Sequence, residues 1–538
     1  MKLIGGLIQT AFWLVWIVLI LATPLLGAWL ASSLVSFFGG PREAALVGCV
    51  LLFPILPLAW EARATRQFKQ KVASRNWYGK PPRRWLSAPW RIVLRTLFLN
   101  LLFIAALLVW HPKVAFAALA TRGDWFLEGR SDPVSQRLRG DLFHAASGLE
   151  WLHRWANPNP YKKEGDTAPV PEDVQPTQQV RPPAPPQPPS PPEPLPRPDA
   201  GSSEAEPNGP DAGTTTPPEP TPAPEPTPSP DIAQDGDGED ESPDQVWKVG
   251  ATTWPRINLV SATVGRMRPE DETSIESVGR FIAAHESDPF ERVKALHDWV
   301  VTRLRYDKES ADDDARRRPQ DALSVFKART GVCEGYARLL VALGKVTGDR
   351  IVYVVGDVRE DNGELASVGH AWNTVQIQGA WYILDATWDD PTSKDAQDNY
   401  QTDYLFTPPD IAALDHFPDD ARWQLLAKPL SRGDFLRQPL ARPGLARVGM
   451  ALLSPDRSKV EVADALDLRL SNPRRLHVMA ELVPEHEEHG VECGIDDSAE
   501  ARFRCPVPGA GRYDARIYVN PNRYGTFRSV AAIQVTRR

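Results

Sequence analysis

The sequence predicts an α+β domain, a helix packed on an antiparallel sheet, followed by a C-terminal β-sandwich and preceded by three transmembrane helices and a disordered Pro-rich linker. Three observations carry that prediction. Long apolar runs end at Trp110, proline crowds into residues 157–247, and beyond that stretch the hydrophobic residues recur first at helical and then at strand spacing. At 538 residues the chain is too long for one ordinary domain. Its formal net charge of -8 offers no basic face for a phosphate backbone, and no nucleic-acid module is present, which excludes nucleic-acid binding. The 4 scattered cysteines exclude a scaffold built on disulfides.

Residues 1–122 read as a membrane domain with spans at about 3–38, 44–60 and 92–110, and 123–156 as a juxtamembrane segment. From Leu3 to Phe38 the chain is apolar apart from Gln9 and a few Ser and Thr, longer than the ~20 residues a crossing helix needs. A cleaved signal peptide fits less well, because the run is too long for such a leader and lacks a small-x-small cleavage site. Ala44 to Trp60 is a shorter run. Ile92 to Trp110 carries Arg95 near its start, where the side chain can snorkel to the headgroups. Nine Arg and Lys residues from Arg63 to Arg91 lie between the last two runs, whereas Arg42 in the preceding loop is balanced by Glu43. The basic loop should face the cytoplasm, so threading three spans places everything after about residue 111 outside it.

The linker, 157–247, is Pro, Glu, Asp, Ser, Thr and Gln and has nothing from which to build a core. Polyproline II at ~3.1 Å per residue makes it a stiff tether. The acidic run starting at Asp235 lacks the ligand spacing of a calcium loop and reads as solvated charge.

Order returns near Trp254, in a domain placed at 248–430. Ser287-Asp288-Pro289 starts a helix on which Val293, Leu296, Val300 and Leu304 share one face, ending near Tyr306-Asp307. Tyr336, Leu339, Leu340 and Leu343 then set a second helix that begins close to Cys333. A cysteine there meets unpaired amides and the helix dipole, which favour the thiolate and can hold a developing oxyanion. His370 to Ile377 and Ala380 to Asp385 read as strands joined by a two-residue turn, Gln378-Gly379. With Ile377 opposite Ala380, His370 and Asp385 fall on one face as diagonal neighbours within hydrogen-bonding reach. A thiol at a helix start with a His and an Asp side by side is what nucleophilic acyl transfer requires. Trp372 shares the His370 face and is a candidate to line the substrate cleft.

Arg329-Thr-Gly-Val-Cys-Glu-Gly-Tyr-Ala, Gly369-His-Ala-Trp-Asn and Trp381-Tyr-Ile-Leu-Asp-Ala-Thr-Trp resemble the three blocks of the transglutaminase-like superfamily, a papain-like cysteine fold. Asp403-Tyr-Leu-Phe-Thr-Pro-Pro and the stretch from His416 to Leu426 resemble its kyphoscoliosis-peptidase type. The resemblance implies Cys333 as nucleophile, His370 as general base and acid, and Asp385 as its orienting partner, acting on an amide of a protein or peptide. Some members bind calcium through acidic loops; Asp389, Asp390, Asp395 and Asp398 show no clear match and read as a solvated loop, so we expect no metal and no cofactor.

Residues 431–538 alternate in short runs such as Leu466 to Leu470 and Tyr513 to Val519, which gives the sandwich. An immunoglobulin-like module in this place is also what the resemblance implies. Cys493 and Cys505 are positioned to close a disulfide if the module faces an oxidising space, two free thiols being the alternative. Together these features describe a membrane-anchored, extracytoplasmic cysteine enzyme, in a bacterial envelope, that attacks amide bonds. Hydrolysis by a peptidase or deamidase is favoured over transamidation because nothing marks an amine site. The alternative is a non-catalytic envelope scaffold on the same fold.

Overall fold

The computed structural model describes residues 2–40, 42–74, 83–128, 130, 132–151, 154, 158–162, 254–312, 316–391 and 400–538. The Pro-rich linker from 163 onward, the acidic run at Asp235, and Asp395 and Asp398 lie outside the described residues.

Helices α1 (Lys2–Phe37), α2 (Arg42–Val50), α3 (Leu56–Ala73) and α4 (Ala88–Trp110) form the N-terminal part. Two stretches among the described residues, Trp16–Phe37 and Ala88–Trp110, are long and apolar enough to cross a membrane, where the sequence predicted three. The middle run fails because it is divided. α2 has 9 residues, a π-helical turn at Leu51–Ile55 contains Pro54, and α3 turns polar from Glu61 onward. Arg95 has a partner within the protein. It pairs with the buried Glu61, which also accepts from Arg91 at 2.7 Å and Arg84 at 3.2 Å. After α4 come α5 (Pro112–Arg122) and α6 (Pro133–Ser147). α5 places Phe116 and Ala120 against Phe417, Phe435 and Leu436 of the domain that follows.

That domain opens with α7 (Ile275–His285) and α8 (Pro289–Arg303). Asp288 caps α8 by accepting from the amides of Phe290 and Glu291, both at 2.9 Å, and Val293, Leu296, Trp299 and Val300 enter the core. α8 stops before Tyr306-Asp307, since Arg305–Tyr306 pairs in parallel with Thr330–Gly331. α9 (Cys333–Thr347) lies on a five-stranded antiparallel sheet made of β1 (Arg350–Val358), β2 (His370–Ile377), β3 (Ala380–Leu384), β4 (Leu405–Thr407) and β5 (His416–Pro418), in the order β4-β3-β2-β1-β5. Both faces are covered. Val375, Ile377 and Leu384 share a core with Tyr336, Leu339, Leu340 and Leu343 of α9, while Trp372, Trp381 and Ile383 pack with Trp423 on the far face.

A two-sheet sandwich follows. One sheet runs β7 (Lys459–Val462), β13 (Arg528–Arg537), β12 (Gly511–Asn520), β9 (His477–Pro484) and β10 (Val491–Asp496); the other runs β11 (Glu500–Pro506), β8 (Ala465–Ser471) and β6 (Ala451–Ser454). β8 buries every second residue, Leu466, Leu468 and Leu470, against Val478, Ala480, Ile517 and Ile533. Cys493 of β10 and Cys505 of β11 form a disulfide between the two sheets, with Cα atoms 5.0 Å apart.

Candidate active site

Cys333 is the first residue of α9. Val332 before it has no side chain that can cap the turn, so the leading amides of α9 gather beside the thiol. Gln320 fixes that turn by accepting from the Val332 amide at 2.9 Å while its own amide donates to the Arg318 carbonyl at 3.1 Å. Residue 335 is confined by the same contact: a Cβ on Gly335 would lie 2.6 Å from Gln320 Oε1 and 2.7 Å from Val325 Cγ2. Asn373 of β2 ties helix to sheet, donating to the carbonyls of Ala337 at 3.0 Å and Val352 at 3.2 Å.

The β2–β3 hairpin has the predicted register, Ile377 opposite Ala380, with both turn residues at positive φ, 52° at Gln378 and 80° at Gly379. Past Leu384 the chain leaves the ladder and Asp385 caps a short helix, Ala386–Asp389, accepting from Thr387 N at 2.8 Å and Trp388 N at 3.3 Å. Its other oxygen takes His370 Nε2 at 2.7 Å. The carboxylate does not engage Nδ1, and Cys333 is near enough to act electrostatically on the ring. Burial opposes a charged ring, but the Asp385 carboxylate and Cys333 outweigh it and push His370 up to about 10. For Asp385 burial is likewise overcome, and the His370 ring with His416 behind it holds the carboxyl far below the usual range.

The transglutaminase-like superfamily profile matches residues 276–386, which span α7, α8, the Cys333 helix and the hairpin. Kyphoscoliosis peptidase from Mus musculus is 29% identical over 227 residues, covering 40% of this chain and 34% of the relative. The Homo sapiens protein of that name is 31% identical over 186 residues, covering 32% and 28%. The domain belongs to the transglutaminase-like superfamily. The matched stretch spans about a third of these relatives' own lengths. A crystal structure of a TGase aligns over 23% of this chain and 34% of its own, at 21% identity and a TM-score of 0.18.

Within the transglutaminase-like domain the structure brings Cys333, His370 and Asp385 together and corrects three other expectations. Trp372 does not line a cleft. It is 1% exposed, stacks beneath the His370 ring with centroids 5.9 Å apart, and packs on Trp381 and Trp423 in the far core. Asp389 and Asp390 are not solvated: Asp389 accepts from Tyr404 N at 3.0 Å and pairs with His297, and Asp390 accepts from the Tyr336 hydroxyl. The third correction is an omission. His416 sends Nε2 to the same Asp385 oxygen at 3.2 Å and Nδ1 to Asp415 at 2.6 Å, and its ring lies 4.5 Å from Trp388. The motif containing His416 was visible in sequence, but nothing local linked it to Asp385.

His370, Asp385 and His416 present ligand atoms within 4.8 Å of one another, among the described residues the one group spaced to receive a metal ion. Those same nitrogens are already directed at the Asp385 carboxylate, so a cation there would take the atoms that orient His370.

Proposed function

We propose that this chain is a membrane-anchored cysteine enzyme that hydrolyses amide bonds of protein or peptide substrates, with Cys333 as nucleophile, His370 as general base and acid, and Asp385 as the positioning residue for His370. The observation that carries it is the place of His370, with Nε2 2.7 Å from the Asp385 carboxylate and the ring near enough to Cys333, the first residue of α9, for the two to interact electrostatically. A ring that keeps a proton up to about pH 10 is suited to hold the one drawn from the thiol. In the first step the sulfur bonds to the amide carbon, the thiol proton moves to His370, and the oxyanion meets the leading amides of α9. Collapse breaks the C–N bond, His370 returns the proton to the leaving amine, and a thioester remains. Water, deprotonated by His370, then releases the acid and restores the thiol. The name kyphoscoliosis peptidase on two relatives supports the hydrolytic reading over transfer to an amine.

α4 and the basic stretch before it support placement outside the cytoplasm. The basic residues from Arg63 to Arg91 precede it and favour the cytoplasmic side, so α4 carries the chain outward whether or not the segment before it crosses. The Cys493–Cys505 disulfide suits an oxidising space, and we read the terminal sandwich as immunoglobulin-like.

A second reading, a non-catalytic scaffold, draws on the 2% exposure of Cys333. The pH profile of Cys333 alkylation in the full chain, each protein normalised to its own rate at high pH, separates the two. An active pair keeps its rate at pH 6.5 and loses it in His370→Ala, which should follow an ordinary thiol with a midpoint near ~8.5. Identical profiles in both proteins would favour the scaffold.

A further inference from the structure

Residues 158–162 read in sequence as the start of a spacer, yet they lie against the transglutaminase-like domain. Tyr161 is 3% exposed and packs among Val332, Cys333, Ala337, Tyr353, Val355 and Ala371. Its hydroxyl accepts from Arg317 at 3.3 Å, and the guanidinium stands 5.1 Å from the ring centroid. The main chain is received as well: the Tyr353 hydroxyl donates to the Tyr161 carbonyl at 3.0 Å. Asn159 donates from Nδ2 to the Gly356 carbonyl at 3.0 Å, while its Oδ1 accepts from the Tyr161 amide at 3.0 Å. The residue before His370 leaves room for this side chain, since a Cβ on Gly369 would lie 2.5 Å from Asn159 Nδ2.

These groups are what an extended polypeptide needs: a hydroxyl for a carbonyl, a carbonyl for a donor, and an apolar wall closed by a guanidinium, all converging on the nucleophile. With Tyr161 seated, Cys333 is only 2% exposed. We propose that residues 158–162 are a built-in ligand lying in the groove that receives the substrate, that this substrate is an extended polypeptide segment, and that it must displace the strap before Cys333 can attack. This rests on the functional reading above. It also gives the juxtamembrane chain a second task, since the strap continues from the membrane-proximal helices and competes at the effective concentration its tether sets.

The test is iodoacetamide labelling of Cys333 in the detergent-solubilised full chain at pH 9.5, followed by mass mapping of the Cys333 peptide. At that pH any uncovered thiol ionises, so the result reports cover and not activation by His370, and failure of the strap is distinguishable from failure of the enzyme reading. Tyr161→Ala should label at least about tenfold faster than the parent, and Asn159→Ala, which removes no buried ring, should shift in the same direction by a smaller factor. A synthetic peptide of residues 157–163 added to Tyr161→Ala should slow labelling again. Equal rates in the parent and both variants, with unchanged circular dichroism, would overturn the proposal; faster labelling that the peptide fails to reverse would overturn the polypeptide-groove part of it.

Discussion

His297 and His370 are both buried in the transglutaminase-like domain and both held by carboxylates, but they end differently. His297, on α8, has Nδ1 3.3 Å from Asp298 and Nε2 3.1 Å from Asp389. His370 has one carboxylate, Asp385, and its other influential neighbour is Cys333. Burial works against the charged form of both rings, and in both the neighbouring acids prevail, raising His297 to about 9 and His370 to about 10. Burial and proton affinity therefore do not separate the histidine proposed as a base from the one that braces the fold; the neighbour beyond the carboxylate does. Between two acids, His297 faces no thiol to serve. It locks α8 to the chain near residue 400, because Asp298 also takes Lys294 Nζ at 2.5 Å and the Tyr400 hydroxyl.

Replacing the bracing histidine should therefore give the largest effect on stability. His297→Gln leaves Asp298 to Lys294 but takes from Asp389 its one charged partner among the described residues in a dry interior, a loss of roughly 3–5 kcal/mol. Native-state hydrogen exchange at the α8 amides should show it, with Cys333 keeping its pH profile of alkylation. Loss of that profile together with the protection would mean that the two networks act as one.

The pH dependence sharpens the same contrast. The folded-state value of His297 lies above its ordinary 6.5, so its contribution is fully present below pH 6.5 and is lost as pH rises through about 9. That share is about 3 kcal/mol, one unit being ~1.4 kcal/mol. Protection of α8 should fall between pH 6.5 and 9 in the parent and fall less steeply in His297→Gln. A parallel decline in both would show that the proton on His297 stabilises nothing.

The two networks were also unequally legible in the sequence. Cys333, His370 and Asp385 could be read because each depends on local pattern: a helix period counted from Tyr336, and a turn at Gln378-Gly379 whose positive φ angles fix the register across it. His416 reaches Asp385 only because β5 pairs with β1 across the sheet edge, a long-range choice with no local signature. Asp389 and Asp390 look like a hydrated loop until α8 and α9 bring His297 and Tyr336 to them. Tyr161 lies 192 positions from Tyr353, the hydroxyl that anchors it, and its proline neighbours disguise it as spacer. In the membrane part, hydropathy counted the apolar run from Ala44 to Trp60 but not its division by a π turn at Pro54.

On the side of the working histidine, His370→Ala should lower the alkylation rate of Cys333 at pH 6.5 by about a hundredfold relative to its own rate at high pH, since an ordinary thiol with a value near ~8.5 is only ~1% ionised there. His297→Gln should change the same ratio by less than about twofold. Equal losses in the two variants would erase the distinction drawn between a brace and a base.

The smallest effect belongs to His416, which stands between the two types. Like His297 it sits between carboxylates, Asp415 at 2.6 Å and Asp385 at 3.2 Å, yet one of these is the partner of His370. The oxygen it touches already accepts the shorter bond from His370 at 2.7 Å, and the opposite oxygen keeps Thr387 N and Trp388 N. Asp385 should stay ionised and positioned without it. His416→Phe, which preserves a ring against Trp372 at 5.0 Å and Trp388 at 4.5 Å, should then cost about 1 kcal/mol, roughly fivefold in the pH 6.5 alkylation ratio. A hundredfold loss would make His416 a full member of the proton-handling set, and no loss would place it with His297 as packing, so the ratio measured for this one variant sets where the brace ends and the site begins.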